Sequence, residues 1–234
     1  EPATSEKTSA LELARTMIGR VTAIDRSDRL IRETARLVQA TLGYDRVMVY
    51  SFDADGSGKV VSEAKRSDLE SFLGQYFPAS DIPAPARTLY LRNPIRLIAD
   101  VDYQPVPVMP ELDAAGRPLD LSFAHLRSVS PVHCEYLRNM GVTASMSISV
   151  IIDGALWGLI ACHHYSARRL SMADRVAAEM FGQYFSLHLD ALRRKQKLDA
   201  ATRARQLLDQ FLRTAAETGS VDELLGGDHA DFAA

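Results

Sequence analysis

The sequence predicts an α+β fold, an antiparallel sheet with helices gathered on one face and a long helix at the C-terminal end. Three observations carry this reading. Apolar residues recur at helical spacing over residues 10–42. Two β-rich pairs, 46–65 and 144–163, each bracket a turn built on Asp and Gly. From Leu170 to about Glu217 a helical pattern hardly breaks, which outgrows an ordinary globular helix.

Residues 1–9 are polar and read as a linker or a disordered end. From Ala10, the residues Leu11, Leu13, Ala14, Met17, Ile18, Val21 and Ile24 form one helical stripe. Asp28 is placed to cap a second helix, whose stripe runs through Leu30, Ile31, Ala35, Leu37, Val38 and Leu42, with Gly43 as its stop. Arg46–Phe52 and Lys59–Lys65 read as strands joined by the turn at 53–58. Residues 77–131 read as a long irregular excursion from the sheet, with five prolines from Pro94 to Pro118. Ser130 and Pro131 then fit the N-cap and first turn of a short helix that carries His133 to Met140, and Gly141 ends it. Residues 144–152 and 155–163 are strands about Asp153-Gly154, the strongest hairpin signal in the chain.

With 234 residues, 47% of them apolar, the chain can bury one good core, or one domain and a fragment of another. Its start at Glu1 reads as a fragment of a longer protein without a cleavable leader. A net charge of −3 gives no basic field for nucleic acid or an anionic membrane. The most apolar run, Met146–Ile152, is too short to span a bilayer. Cys134 and Cys162, the only cysteines, read as reduced thiols of a cytoplasmic protein. The basic residues over 193–205 read as a solvated helix face. His163 and His164 are adjacent on a strand and point to opposite faces, so they cannot share one metal ion, and no metal site is expected.

Several residues carry polar chemistry on apolar ground. In Pro78-Ala-Ser-Asp-Ile-Pro83 the proline holds Ile82 extended, and Asp81 is free to offer both its carbonyl and its carboxylate. The same string also fits a plain Asp turn. On the short helix His133, Tyr136, Leu137 and Met140 share one face, with Arg127 and Ser130 just upstream. That face suits a flat apolar ligand with anionic tails, or a satisfied core histidine. Ser145, Ser147 and Ser149 project to one side of their strand, either into a lined pocket or as a solvent-facing ladder.

Tyr76-Phe-Pro-Ala-Ser-Asp-Ile-Pro83, Arg127-Ser-Val-Ser-Pro-Val-His-Cys-Glu-Tyr136 and Trp157-Gly-Leu-Ile-Ala-Cys-His-His164 together resemble the chromophore-binding GAF domain of the bacteriophytochromes, over about residues 10–200. The resemblance implies a red/far-red light sensor that binds a linear tetrapyrrole, biliverdin. It implies that the carbonyl of Asp81, within Asp81-Ile82-Pro83, accepts the pyrrole N–H groups, and that His133 stacks on the pigment. Arg96 and Arg127, with Tyr90, would hold one propionate; Ser145 and Ser147 would hold the other. His163 would bond the carbonyl of the terminal ring D, and Tyr50, Phe72 and Phe77 would surround that ring. The domain is expected over 10–192, with residues 84–129 as a lasso-like insertion. Residues 193–234 would be the exit helix and the start of a following PHY-like domain. The long helix would signal to an output domain such as a histidine kinase and pair two copies into a homodimer.

The sequence departs from that family at the attachment thiol. The usual cysteine precedes a PAS domain that this sequence does not contain, and Cys134 stands one residue after His133, about 100° round the helix. The pigment is therefore expected to be noncovalent, or a thioether through Cys134, whose thiolate would gain from the nearby helix N-terminus. Cys134 is equally read as a small buried hydrophobe. Two other functions also fit the residues: a regulatory GAF domain for a cyclic nucleotide or other metabolite, and a thiol-based redox enzyme.

Overall fold

A computed structural model describes residues 9–124 and 127–218. Helix α1 (Ala10–Val21) opens on a reciprocal cap: Ser9 Oγ accepts from Glu12 N at 3.2 Å, and Glu12 Oε2 accepts from Ser9 N at 3.0 Å. Its buried stripe is Ala14, Met17 and Val21, while Leu11 falls off that stripe and is 66% exposed. Helix α2 (Ser27–Leu42) begins two residues earlier than expected, with Arg26 at the N-cap position. Asp28 therefore does not cap. It sits in the first turn and accepts from Arg26 Nε at 3.0 Å, where its charge still favours the helix dipole. Gly43 ends the helix at φ 65°, and its N–H donates to Gln39 O at 2.8 Å.

Six strands form one sheet in the order β3-β2-β1-β6-β5-β4, every neighbouring pair antiparallel. They are β1 (Arg46–Phe52), β2 (Gly58–Lys65), β3 (Tyr76–Phe77), β4 (Ile95–Ile98), β5 (Ala144–Ile152) and β6 (Ala155–His164). Asp153 and Gly154 both have positive φ, 52° and 73°, which matches the twist of the β5–β6 hairpin. Between the strands lie α3 (Ala84–Arg92) and α4 (Pro131–Asn139), and α5 (Met172–Thr218) follows the sheet. The excursion is thus shorter than the sequence suggests. Helix α3 buries no residue, so it has no apolar stripe to read, and β4 is four residues long directly after Pro94. Among the described residues, the irregular stretch is 99–124 and 127–130.

The strand alternation sorts the side chains. Val47 and Val49 of β1, Ile160 and Cys162 of β6, and Met146 and Ile148 of β5 are buried and meet in register on one face. Helices α1, α2 and α5 gather on that side. Tyr184 of α5 donates to Thr22 Oγ1 at 3.1 Å, and Ser186 Oγ accepts from Ile151 N at 3.2 Å. The shorter helices α3 and α4 stand on the opposite face.

Two compact units divide the chain at Asp190 and Ala191, and α5 is continuous through that point. Among the described residues of the second unit, Leu198, Leu207, Leu208 and Leu212 are exposed. No described helix is long and apolar enough to cross a membrane.

Gly182 tests the α5–sheet contact. A Cβ there would lie 2.3 Å from Ile148 Cγ2, which is itself buried. Gly182→Ala should lower stability by about 1–3 kcal/mol through overpacking. Helix propensity alone would raise it by about 1 kcal/mol. A higher urea midpoint in the variant would mean that α5 does not press on β5 at this point.

Candidate functional site

The second face of the sheet is not filled by helices. It opens into a cavity with an outer lobe of about 450 Å³ and an inner lobe of about 80 Å³. Asp81, Ile82, Tyr90, His133 and Tyr136 line both lobes. The size and the mainly apolar wall suit a small organic ligand with a few polar contacts.

Each element delivers its side chains by its own period. Helix α4 starts at Pro131 after Ser130, whose side chain makes no cap hydrogen bond. Residues three apart share a face, so the rings of His133 and Tyr136 stack, 6.2 Å between centroids at 10°. Tyr136 donates its hydroxyl to Asp81 Oδ2 at 3.2 Å. That bond ties the 78–83 turn, where Asp81 N donates to Pro78 O, to α4 across 55 residues of chain. Helix α3 is tied to the sheet by Ser149 Oγ, which donates to Tyr90 O at 2.7 Å. Ser145, Ser147 and Ser149 are all buried, so the solvent-facing ladder is not what forms. Ser147 pairs with Arg96 across β5 and β4, and Tyr90 bonds Ser147, so these three form one group.

Arg96 and Arg127 line the outer lobe together with Ser130 and Pro83. Neither arginine has an acidic partner among the described residues; Arg96 Nη2 donates only to Ser128 O, at 3.3 Å. Burial, and then the charge of Arg127, make it harder to keep Arg96 charged. A guanidinium is able to bind a carboxylate through two parallel hydrogen bonds, and two of them stand on this apolar wall.

The inner lobe holds Tyr50, Phe77, Met140, Ser145, Ser147 and His163. Burial, and then the Asp81 carboxylate, push the Tyr50 hydroxyl up to about 12. Tyr50 packs against Gly58 on the next strand, where a Cβ would fall 2.2 Å from its ring. His163 is buried, and burial followed by the charges of Arg46 and His133 brings its pKa down to about 4. Its Nδ1 is enclosed without a partner. His133 is lowered too, by burial and then by Arg96. Both imidazoles are therefore neutral near pH 7.

Fifteen of the seventeen expected site residues line one lobe or the other. Phe72 stands behind the wall, under the guanidinium of Arg46, whose carbon lies 3.9 Å from the ring centre. Cys134 is buried in a separate cluster with Ile98, Val101, Leu137 and Val142. Burial pushes the pKa of its thiol up, by more than the charges of Arg138 and Arg96 lower it, which runs against the expected activation. Cys162 is buried and raised as well. Met48, Val60, Leu159 and Ala161 complete the inner wall and were not anticipated. Counting by two from Tyr50 and His163 along their strands reaches Met48, Leu159 and Ala161. Val60 faces the cavity because β2 carries a bulge opposite Val49 and Tyr50.

The GAF domain family matches residues 26–189. The chain is similar to a bacteriophytochrome of Pseudomonas aeruginosa, 48% identical over 200 residues, which is 80% of this chain and 28% of the relative. It is similar to cyanobacterial phytochrome B of Nostoc sp., 52% identical over 158 residues, 67% of this chain and 21% of the relative. The chain thus spans little more than a quarter of these relatives at most. Among solved structures it resembles the chromophore-binding domain of an unusual bacteriophytochrome from R. palustris. The TM-score is 0.76 at 41% identity, over 79% of this chain and 62% of that one. The chromophore-binding domain of a Stigmatella aurantiaca bacteriophytochrome matches with a TM-score of 0.73 at 44% identity, over 78% and 60%.

His163 sets a pH dependence. An unfolded histidine titrates near 6.5 and this one near 4, so the unfolded chain binds the extra proton between those values. Stability from this group is complete above pH 6.5 and is lost as pH falls to 4, by at most about 3 kcal/mol. His163→Gln should flatten the fall in urea midpoint between pH 7 and 4. An equal fall in variant and wild type would mean that His163 is not buried neutral.

Proposed function

The chain belongs to the GAF domain family, and from that premise we propose that its cavity binds a linear tetrapyrrole, biliverdin, and that the domain serves as a red/far-red light sensor. The observation that carries the proposal is the pairing of two arginines without acidic partners at the outer lobe with a neutral, unpartnered histidine in the inner one. A long apolar ligand with carboxylate tails and a carbonyl end meets both demands. The pigment would supply the photochemistry, isomerisation of a double bond on absorbing light.

The chain's own residues bind, orient and exclude water. Arg96, with Arg127 beside it, takes a propionate carboxylate, and Tyr90 and Ser147 lie in the same group as Arg96. Asp81 offers its main-chain carbonyl to pyrrole N–H groups, while Tyr136 holds its carboxylate in place. His133 stacks against the pigment and stays neutral. Tyr50, Phe77, Met140 and His163 surround the terminal ring.

Noncovalent retention is the form we favour, because Cys134 sits in its own core cluster with a raised pKa. The same burial of both thiols weighs against a redox enzyme. The exit helix, with its exposed leucines, would pair two copies of the chain and carry the signal to an output domain such as a histidine kinase in a cytoplasmic protein.

Mixing the protein with biliverdin tests the reading. A sharp band at the red edge that responds to red light supports it. An unchanged free-bilin spectrum sinks it and favours a metabolite-binding GAF domain.

Two finer outcomes follow. Arg96→Ala and Arg127→Ala should each weaken biliverdin binding by about 1.5–3 kcal/mol, the scale of a hydrogen bond to a charged group. The double variant should lose less than the sum, because both arginines serve one carboxylate. Additive losses in a fluorescence-quenching titration would assign them to separate groups. Denatured, zinc-stained holoprotein should show no pigment on the chain. A fluorescent band that Cys134→Ser abolishes would restore the thioether.

A further inference from the structure

His163 stands in the ladder between Arg46 of β1 and Ser145 of β5. Directly opposed residues of an antiparallel pair hold their Cβ atoms about 5 Å apart on one face. The other neighbour is His133 of α4, which lines the same inner lobe. Arg46 is buried and lines neither lobe. One of its terminal nitrogens pairs with Glu63, and Nη2 donates to Glu70 O at 2.7 Å. Glu63 in turn accepts from Ser71 Oγ at 2.6 Å and from Phe72 N at 3.1 Å. The guanidinium is thus held from both ends and covered by Phe72.

Two buried nitrogens on this cross-strand pair lack partners, Arg46 Nε and His163 Nδ1. A guanidinium carries donors only. A proton on Nδ1 would set donor against donor inside the sheet, where an unsatisfied polar group is costly. A lone pair on Nδ1 would instead suit the Nε–H of Arg46, the one guanidinium nitrogen that has no partner.

We propose that Arg46 is a positioning residue that fixes the tautomer of His163, with the lone pair on the enclosed Nδ1 and the proton on Nε2. The inner lobe is thereby given a hydrogen-bond donor. The tautomer does not rest on the tetrapyrrole reading.

The test is nitrogen NMR of protein labelled with ¹⁵N-histidine, free of pigment, with His163→Gln to assign the signal. In wild type at pH 7, Nε2 should give the protonated, pyrrole-type resonance, and Nδ1 the bare, pyridine-type one. An Nδ1–H pattern, or a doubly protonated ring, would overturn the proposal. In the neutral pair Arg46→Gln with Glu63→Gln, the amide at 46 offers an acceptor, and the Nδ1–H form should appear. A folded double variant that keeps the wild-type pattern would remove Arg46 from the role. If that variant does not fold, Arg46→Lys decides: it keeps a donor-only cation and should keep the Nε2–H form, and an Nδ1–H form there would overturn the proposal. Biliverdin is then added to wild type. Failure to bind would sink the tetrapyrrole reading and leave the tautomer result standing.

Discussion

The fold depends on a sheet that is buried on both faces with different chemistry on each. Successive residues of a strand point to opposite sides, so one strand can be written twice over. In β5 the residues Ala144, Met146, Ile148 and Val150 pack toward the helices, while Ser145, Ser147 and Ser149 face the cavity side. In β6, Ile160 and Cys162 face one way, and Leu159, Ala161 and His163 the other. A slip of one residue in register would bury the serines among the core helices and turn the apolar set into the cavity. The tight Asp153-Gly154 turn, with both residues at positive φ, holds the β5–β6 register at the end where it starts.

The cavity face carries a few polar groups on a mainly apolar wall and is poor in matched charge. Arg46 and Glu63 satisfy each other away from the opening, and both are almost wholly buried. Removing one of such a pair costs several kcal/mol, on the order of 3–5, because the other is left charged and dry. That pair keeps residues 70–72 against the sheet through Ser71 and Phe72. Arg96 and Arg127 have no such partner among the described residues, and the two histidines are held neutral. The positive charge is thereby confined to the outer lobe, and the inner lobe offers neutral hydrogen-bonding groups beside Asp81, which lines both. A ligand charged at its tails and neutral at its end fits that division.

Much of this was legible because it rests on local periods. The hairpins, the long helix and the His133–Tyr136 face follow from counting by two or by three and four. Asp28 was misread because capping turns on which residue leaves the helix conformation, and Arg26 does so without a capping side chain. Helix α3 and strand β4 were hidden for a different reason. Neither carries a sustained apolar pattern, and each is held by distant groups, α3 by the Ser149 bond to Tyr90 and β4 by pairing with β5. The site residues were reached through motif resemblance. That Cys134 turns away from His133 followed from the step round the helix, but the cluster that buries it did not, because Ile98 and Val101 come from a distant stretch of chain.

Strand β5 touches both sides of this arrangement. Its serines stand beside His163 and Arg96 in register. Its Ile148 meets α5 at Gly182, and the N–H of its Ile151 donates to Ser186 of the same helix. Contact on both sides is not in itself coupling, since a ligand shifts an equilibrium only through a difference in affinity between two states. The close approach at Gly182 matters for that reason. With a side chain there α5 would stand off from β5, whereas with hydrogen it sits against Ile148, and a packed contact transmits a displacement that a loose one absorbs. Helix α5 then runs unbroken from this contact to Thr218. The absence of a side chain at 182 is what lets α5 sit directly against β5.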